Sequence, residues 1–280
     1  MGADLHVPAR RVASRLRAEV SARNRMRAQT DSLSHEQTYS SQPAVVYAEE
    51  NGGHGNFFPP SWRRIQANAA WAARLDKTYT ASARVPRSRD RWRGELECAT
   101  SSDALLMNIF CHPATMKSAT LCALLGVSAS DKPEFGWRAR VALTNGHDDR
   151  TEIDMRLGDL LVEAKLCEGD FQSAPMSMMW RYDAFADIFD IERLHPRRGK
   201  LRSYQLLRGV MAAVEHDARF CLMCDARRSD LKDDWAEMVA AVRYSTVRCR
   251  LQIVTWQEIA QHLPRPLAAF LDEKYGIVSA

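Results

Sequence analysis

The chain has 280 residues, of which 46% are hydrophobic and 26% are charged, with 13 Gly and 11 Pro. This composition is typical of a globular protein and excludes collagen-like, low-complexity and wholly disordered classes. The net charge is only +4, but residues 1–94 hold 16 Lys and Arg against 8 Asp and Glu, whereas the remainder holds 23 against 27. An arginine-rich first part is able to neutralise phosphates, and a solvated arginine-rich helix and tail explain the same pattern equally well.

The chain has no apolar run long enough to cross a membrane and no apolar stretch near its first residue that would act as a secretory signal. We therefore expect a cytoplasmic protein. Seven cysteines lie mostly inside apolar runs, which favours reduced, buried thiols over disulfides. Cys221 and Cys224 form a lone CxxC, and buried strand thiols are favoured over a zinc site because no second pair of ligands stands at a suitable spacing.

Residues 1–60 contain an Arg/Ala stretch, a Ser/Gln/Thr segment, a glycine-rich run and Pro59-Pro60. We interpret them as a weakly ordered tail and linker. Residues 61–280 then form the main domain, which begins with a helical extension capped by Ser61. A second helical pattern starts at Ser101, and Gly126 ends it.

After Gly126 the hydrophobic period changes from that of helices to that of strands. Turns are expected at Asn145-Gly146 and Gly158-Asp159. The predicted strands are 137–143, 151–157, 160–166, 220–224 and 251–255, and the predicted helices are 176–189, 201–216, 230–243 and short segments up to 275. Three consecutive strands, a helix and a further strand predict an α/β domain with a mixed sheet, because hairpins are antiparallel and helical crossovers are parallel.

The second and third predicted strands each have one apolar face and one charged face. If Gly158-Asp159 is a two-residue turn, the numbers of paired residues sum to 317. Asp154 then lies opposite Glu163, and Glu152 lies opposite Lys165. Two carboxylates at this separation, roughly 5 Å between β-carbons, repel each other and weaken the sheet.

A divalent cation between the two carboxylates would remove this repulsion, and Mg²⁺ accepts such ligands together with water. Lys165 would point at the same place, two residues from Glu163. Two carboxylates, a metal and an ammonium group predict phosphodiester hydrolysis, with Lys165 positioning or deprotonating the attacking water. The alternative is a solvated hairpin face on which Lys165 pairs with Glu152.

Ile153-Asp154 and Glu163-Ala164-Lys165 resemble the motif of the PD-(D/E)xK nuclease superfamily, in which an Asp and an ExK tripeptide on adjacent strands hold the metal. Ile153 stands where the motif has Pro. Residues 101–110, 163–171, 204–208 and 256–275 together resemble one branch of that superfamily, a group of restriction-endonuclease-like proteins. The resemblance covers roughly residues 95–278. It implies a core of helix, three-strand meander, helix and strand, here with an extra C-terminal strand and helices.

The resemblance also implies the residues of a site. Asp154 and Glu163 would be metal ligands, the carbonyl of Ala164 a third ligand, and Lys165 the catalytic lysine.

Two further positions come from the same resemblance. Relatives often add an acid from the first core helix, for which Glu97 is the candidate with Glu95 behind it. They also carry a Gln on the helix after the ExK strand, and Gln205 matches it as a fourth catalytic residue. Gln205 is otherwise an ordinary polar residue on that helix.

The connection from 167 to 200 is long and ends in a cluster of basic residues. Long ordered loops beside a site are often functional, so we expect it to contact the substrate backbone. The candidate contacts are Arg193, Arg197, Arg198, Lys200 and, on the next helix, Arg208. A solvated charge run explains the same residues.

These features predict a Mg²⁺-dependent endonuclease, with Mn²⁺ as a substitute and nucleic acid, foremost DNA, as its partner. The alternative is a catalytically silent nucleic-acid-binding or regulatory module with the same fold, and a third hypothesis is a protein-interaction domain with a solvated arginine arm. A nuclease that cuts both strands needs two active sites, which leaves a homodimer open.

Overall fold

The computed structural model describes residues 9–38, 43–77 and 93–279. The helices are α1 (Ala9–Thr30), α2 (Pro59–Gln66), α3 (Ala69–Ala72), α4 (Ser102–Phe110), α5 (Ala119–Leu125), α6 (Met176–Met179), α7 (Phe185–Ile188), α8 (Tyr204–Glu215), α9 (Ser229–Ala241), α10 (Ser245–Arg248), α11 (Trp256–Ala260) and α12 (Arg265–Tyr275). Short 3₁₀ turns lie at Ala73–Asp76, Glu95–Glu97, Thr115–Lys117 and Ile191–Leu194. The strands are β1 (His35–Gln37), β2 (Val45–Tyr47), β3 (Glu49–Glu50), β4 (Gly53–His54), β5 (Pro133–Arg138), β6 (Val141–Ala142), β7 (Asp148–Asp149), β8 (Glu152–Leu157), β9 (Leu160–Ala164), β10 (Ala174–Pro175), β11 (Lys200–Leu201), β12 (Arg219–Cys224) and β13 (Leu251–Thr255).

A five-stranded sheet of order β13-β12-β9-β8-β5 forms the centre of the fold. The pairs β5–β8 and β8–β9 are antiparallel, whereas β9–β12 and β12–β13 are parallel. The parallel pair β9–β12 is joined through α8, as expected when a helical crossover separates two strands. The mixed α/β fold predicted from the order of elements is confirmed.

The sheet lies between two layers of helices. Phe220 and Leu222 of β12 pack with α8 and α9, whereas the alternating residues Cys221 and Met223 pack with α1, α4 and α12 on the other side. This alternation is the two-residue period of a strand that is buried on both faces.

The β8–β9 hairpin has the predicted register. Leu157 pairs with Leu160 and Met155 pairs with Val162. Gly158 has a φ of +62°, a left-handed conformation that glycine adopts without steric cost. Because the turn has two residues, the one-residue slip that would send the carboxylates to opposite faces is excluded.

The first strand of the sheet is β5 and not the predicted segment 137–143. The chain leaves the sheet near Arg140, which has a φ of +50°. Residues Val141–Ala142 then pair with Asp148–Asp149 in a separate small hairpin. The predicted turn at Asn145-Gly146 closes that hairpin, with Gly146 at a φ of +76°.

Two predicted helix boundaries are also wrong. The expected helix 176–189 is divided into α6 and α7, because Tyr182 between them forms a β-bridge with Leu143 and donates its hydroxyl proton to Asp149 at 2.7 Å. Ser61 is not an N-cap, since α2 begins at Pro59 and the Ser61 hydroxyl donates to the carbonyl of Asn108 at 2.7 Å. Gly126 does end α5, in the predicted left-handed conformation.

The expectation of a weakly ordered tail and linker over residues 1–60 is wrong for the part that is described, while residues 1–8 and 39–42 lie outside it. The helix α1 is 22 residues long, and its Leu16 and Val20 pack in the same hydrophobic cluster as Leu271 and Tyr275 of α12. The sequence pattern obscured this because α1 contains seven arginines and few large apolar residues.

A buried ammonium group fastens this N-terminal part to the C-terminal helix. The Nζ of Lys274 is fully buried and donates to the side-chain oxygens of Asn24 at 2.7 Å and Asn56 at 2.6 Å. It also lies 4.7 Å from the centre of the Tyr47 ring, a cation–π contact. Burial and the nearby Arg27 lower the pKa of Lys274, so its polar contacts are needed to keep the ammonium form inside the protein.

All seven cysteines are free thiols, and Cys249 alone among them is exposed. Cys221 and Cys224 are buried on β12, as predicted. Within the described ranges, no helix has both the length and the apolar character needed to span a bilayer.

Shortening a buried side chain of α1 tests whether this helix is part of the core. Leu16→Ala should lower the free energy of unfolding by ~2–5 kcal/mol, because Leu16 is 3% exposed. Met26→Ala on the same helix is the control, since Met26 is 66% exposed and its truncation should change stability little. Urea denaturation of both variants measures the difference, and equal midpoints would show that α1 does not pack as described.

Candidate active site

The strands β8 and β9 separate at Asp154. Their pairing ends with Met155 and Val162. At the next position the Asp154 carboxylate accepts a hydrogen bond at Oδ2 from the backbone N–H of Ala164, at 2.8 Å. Asp154 remains partly exposed, whereas Ala164 is buried. Solvent therefore reaches this point of the sheet through Asp154.

Glu163 and Lys165 form a buried ion pair beside Asp154. The Nζ of Lys165 lies 2.7 Å from Oε1 of Glu163, and the two side chains are 7% and 2% exposed. The Phe171 ring covers the ammonium group, with its centre 5.8 Å from Nζ. The alternative of a solvated hairpin face, with Lys165 paired to Glu152, is therefore wrong.

The backbone of Lys165 is held from both sides. Its N–H donates to the carbonyl of Met223 on β12 at 2.8 Å, and its carbonyl accepts from the indole N–H of Trp256 at 2.9 Å. The start of α11 thus fixes the end of β9. These contacts hold Lys165 in place beyond the point where β8 and β9 stop pairing.

The pKa values of Asp154 and Lys165 are each shifted by opposing effects of burial and of neighbouring groups. Burial raises the pKa of Asp154 well above its usual value, and the Glu163 and Asp103 carboxylates raise it further, whereas Lys165 and the Ala164 N–H lower it. Burial alone would lower the pKa of Lys165, but Glu163, Asp154 and Glu168 outweigh it and raise the pKa. Lys165 is thus an ammonium group, and the acidic side chains that act on it outnumber it.

The helix α4 carries an acidic residue, Asp103, that raises the pKa of Asp154 and that is not among the candidates chosen from the sequence. Asp103 lies in the first turn of α4 and is 4% exposed. Its Oδ2 accepts from Arg74 at 2.9 Å and from Lys77 at 2.7 Å. A signal for it was present, because Asp103 is the first acidic residue in the segment 101–110 that carries the family resemblance.

Glu97, the candidate chosen from the sequence, has a different environment. Its carboxylate accepts from the backbone N–H of Gly94 at 3.0 Å and caps the short 3₁₀ turn in which it lies. Glu95 is closer to the site, since it pairs with Lys77 at 3.3 Å. The sequence alone did not show which of these three acids lies on α4. That helix begins only at Ser102, after Glu95 and Glu97.

Arg74 connects Asp103 to β8. Its Nη1 lies 2.7 Å from Oε2 of Glu152, and its Nη2 binds Asp103. The guanidinium group lies against Gly136 of β5, where a β-carbon would collide with it. Gly136 also has a φ of +65°, so both the contact and the backbone favour glycine.

Glu168 links the end of the hairpin to α4. It accepts from the Ser102 hydroxyl and from the backbone N–H of Leu166, both at 2.6 Å. This places a further carboxylate close to Lys165, in agreement with its effect on the pKa of that residue.

Gln205 is the second residue of α8, and its backbone N–H donates to the carbonyl of Phe171 at 3.0 Å. Phe171 is the residue whose ring covers Lys165. The Gln205 side chain is partly exposed.

Arg208 is not on the surface, so the prediction that it contacts nucleic acid directly does not agree with its position. It is 2% exposed, and its Nη2 donates to the carbonyl of Glu152 at 2.7 Å. Arg193, Arg197, Arg198 and Lys200 are exposed, and Arg193 pairs with Asp190 at 3.3 Å. They lie in the chain just before α8.

A metal site, if present, would be built from oxygen ligands. The described part of the chain contains no preformed group of three or more His, Cys, Asp or Glu side chains arranged to hold a metal. Asp154 and Glu163 nevertheless present carboxylate oxygens, which are the ligands that Mg²⁺ prefers.

Among comparisons of the chain with known proteins, a protein family gives the match. No curated protein and no solved structure matches the chain. Residues 26–276 match the family described as "Restriction Endonuclease associating with ARP", which covers β8, β9 and every residue of the candidate site. The chain therefore belongs to this restriction-endonuclease family.

Proposed function

We propose that this chain is a metal-dependent nuclease of restriction-endonuclease-like fold, of the PD-(D/E)xK type, that hydrolyses phosphodiester bonds of DNA. The observation that carries the proposal is the meeting of Asp154, Glu163 and Lys165 where β8 and β9 separate. The family description supports a nuclease acting on nucleic acid.

Asp154 and Glu163 are the residues proposed to hold Mg²⁺, with the Ala164 carbonyl as a third ligand. The excess of carboxylates at this position fits a divalent cation, and Mn²⁺ would serve in its place because it accepts the same oxygen ligands. When bound, such an ion polarises a phosphate and lowers the pKa of a coordinated water.

The side chains of this chain then have distinct tasks. The Lys165 ammonium group donates hydrogen bonds and stabilises the negative charge that develops on the phosphate in the transition state. Its raised pKa favours this electrostatic task over that of a base. The Gln205 amide, which is partly exposed beside Phe171, is suited to orient the attacking water or a phosphate oxygen.

One observation favours the alternative of a catalytically silent nucleic-acid-binding module. Lys165 occupies an oxygen of Glu163 at 2.7 Å, so this ion pair must rearrange before Glu163 offers both oxygens to a metal. Activity measurements separate the two functions, because a silent module binds DNA without cutting it.

Loss of either central residue should abolish cleavage. On supercoiled and linear DNA, cutting should require Mg²⁺ or Mn²⁺, stop in EDTA, and fall by about 100-fold or more in Asp154→Ala and Lys165→Ala. Binding of DNA by both variants shows that they are folded. Salt-sensitive binding without cutting by the unmodified chain would favour the silent module, and cutting by the variants at the normal rate would place the site elsewhere.

Asp103 and Glu97 should differ in their effect on metal dependence. Asp103→Asn removes a carboxylate next to Asp154, so the Mg²⁺ concentration for half-maximal cleavage should rise by about 10–100-fold. Glu97→Gln should leave it unchanged, because Glu97 only caps a turn. Circular dichroism across the Mg²⁺ titration is the necessary check that Asp103→Asn is folded, because partial unfolding would itself raise the apparent midpoint.

Asp154→Asn should be neutral or stabilising in EDTA. The raised pKa of Asp154 means that its contribution to stability is present below the unfolded value near 3.8 and is lost as pH rises through the folded pKa. The variant should therefore gain ~0.2–1 kcal/mol over the original chain as pH increases to 8, while its Asn oxygen still accepts from Ala164.

Thermal denaturation at several pH values measures this difference. Added Mg²⁺ should reverse the order, because metal that binds the folded state stabilises the original chain more. A clear loss of stability in Asp154→Asn without metal would contradict the repulsion between the carboxylates.

A further inference from the structure

A groove of about 600 Å³ lies between the first half of α1 and the start of α9, separate from the candidate active site. Arg11, Arg15 and Glu19 line it from α1, and Arg227 and Ser229 line it from the other side. Arg11 and Arg15 precede residues 26–276, which match the family, so this part of the groove lies outside the matched segment.

The acidic residue in the groove is already neutralised. Oε1 of Glu19 lies 2.8 Å from Nη1 of Arg227 and 3.3 Å from Nε of Arg23. Arg227 also forms two side-chain hydrogen bonds to Asp225, at 2.8 and 2.7 Å. These two acids and two arginines cancel in charge.

Arg11 and Arg15 leave the groove positive. Both are exposed, and neither forms an ion pair with a residue that the structure describes. They are four residues apart on α1, and like charges at this spacing destabilise a helix. Phosphates bound to the two guanidinium groups would offset that repulsion.

The walls of the groove are hydrogen-bonded to the segment that follows β9. Arg17 of α1 donates to the carbonyl of Cys167 at 3.3 Å, and Arg228, next to Ser229, donates to the carbonyl of Leu166 at 3.0 Å. Leu166 and Cys167 directly follow Lys165. The groove is therefore connected to the end of β9 that carries Lys165.

We propose that this groove binds the sugar–phosphate backbone of the DNA strand that enters the active site, through Arg11 and Arg15. The inference rests on the proposed function, since it takes DNA as the substrate. The two residues are about 6 Å apart along the helix axis, comparable to the spacing of neighbouring phosphates on one strand. A guanidinium group binds phosphate through two parallel hydrogen bonds, and such contacts fix the position of the DNA without reading its sequence.

Salt dependence of binding tests the groove. The association constant of the full chain for a labelled duplex of mixed sequence is measured by fluorescence anisotropy in EDTA, across a range of salt concentrations. In the double variant Arg11→Gln/Arg15→Gln, the slope of log K against log[salt] should become shallower by about 1.8, because each phosphate contact contributes about 0.9. Affinity should fall to a similar extent for unrelated duplex sequences.

The matched control removes two exposed arginines outside the groove, in Arg63→Gln/Arg265→Gln. Its salt slope should stay close to that of the original chain. Thermal denaturation of the groove variant should give an equal or higher midpoint, since the change removes a repulsive pair. An unchanged slope in the groove variant, or the same reduction in the control, would overturn the proposal.

Failure of the groove and failure of the nuclease proposal give different results. Binding is measured without metal, so a chain that never cuts DNA still reports on Arg11 and Arg15. If the groove does not bind the backbone, metal-dependent cleavage that is lost in Asp154→Ala still supports the nuclease.

Discussion

The balance of charge where β8 and β9 separate is the constraint on which the rest of the structure depends. Asp103, Asp154 and Glu163 bring three carboxylates to one region, and two of them are almost fully buried. Charges of the same sign repel strongly where little water screens them. The fold therefore places cationic side chains in this region. Lys165 binds Glu163, and Arg74 and Lys77 bind Asp103.

These cations come from distant parts of the chain, and this makes the N-terminal residues necessary to the site. Arg74 and Lys77 follow α3, yet both bind an acid on α4, and Arg74 also binds Glu152 on β8. Gly136 on the neighbouring strand leaves room for the guanidinium group. A substitution that displaced Arg74 would therefore affect both the packing of the N-terminal helices and the charge around Asp154.

The site combines a rigid part with an accessible part. Glu163 and Lys165 are enclosed by Phe171 and by the contacts of the Lys165 backbone to β12 and α11. Asp154 is partly exposed at the point where pairing stops. Charged groups that are held before the substrate arrives need little reorganisation during a reaction, which is the condition for efficient electrostatic stabilisation of a transition state.

The sequence by itself determined the mixed α/β fold and the hairpin that carries Asp154, Glu163 and Lys165. Both depend on short-range rules: a two-residue turn at Gly158-Asp159 sets the register, and the alternation of apolar residues sets the faces. Gly126 ends α5 for the same kind of local reason, because glycine adopts the left-handed conformation readily. Only the tertiary structure decided that Asp103 and not Glu97 approaches Asp154, and that α1 packs against α12 through Asn24 and Lys274. These contacts join segments far apart in the chain, and their geometry depends on how whole helices pack, which no local spacing of residues specifies.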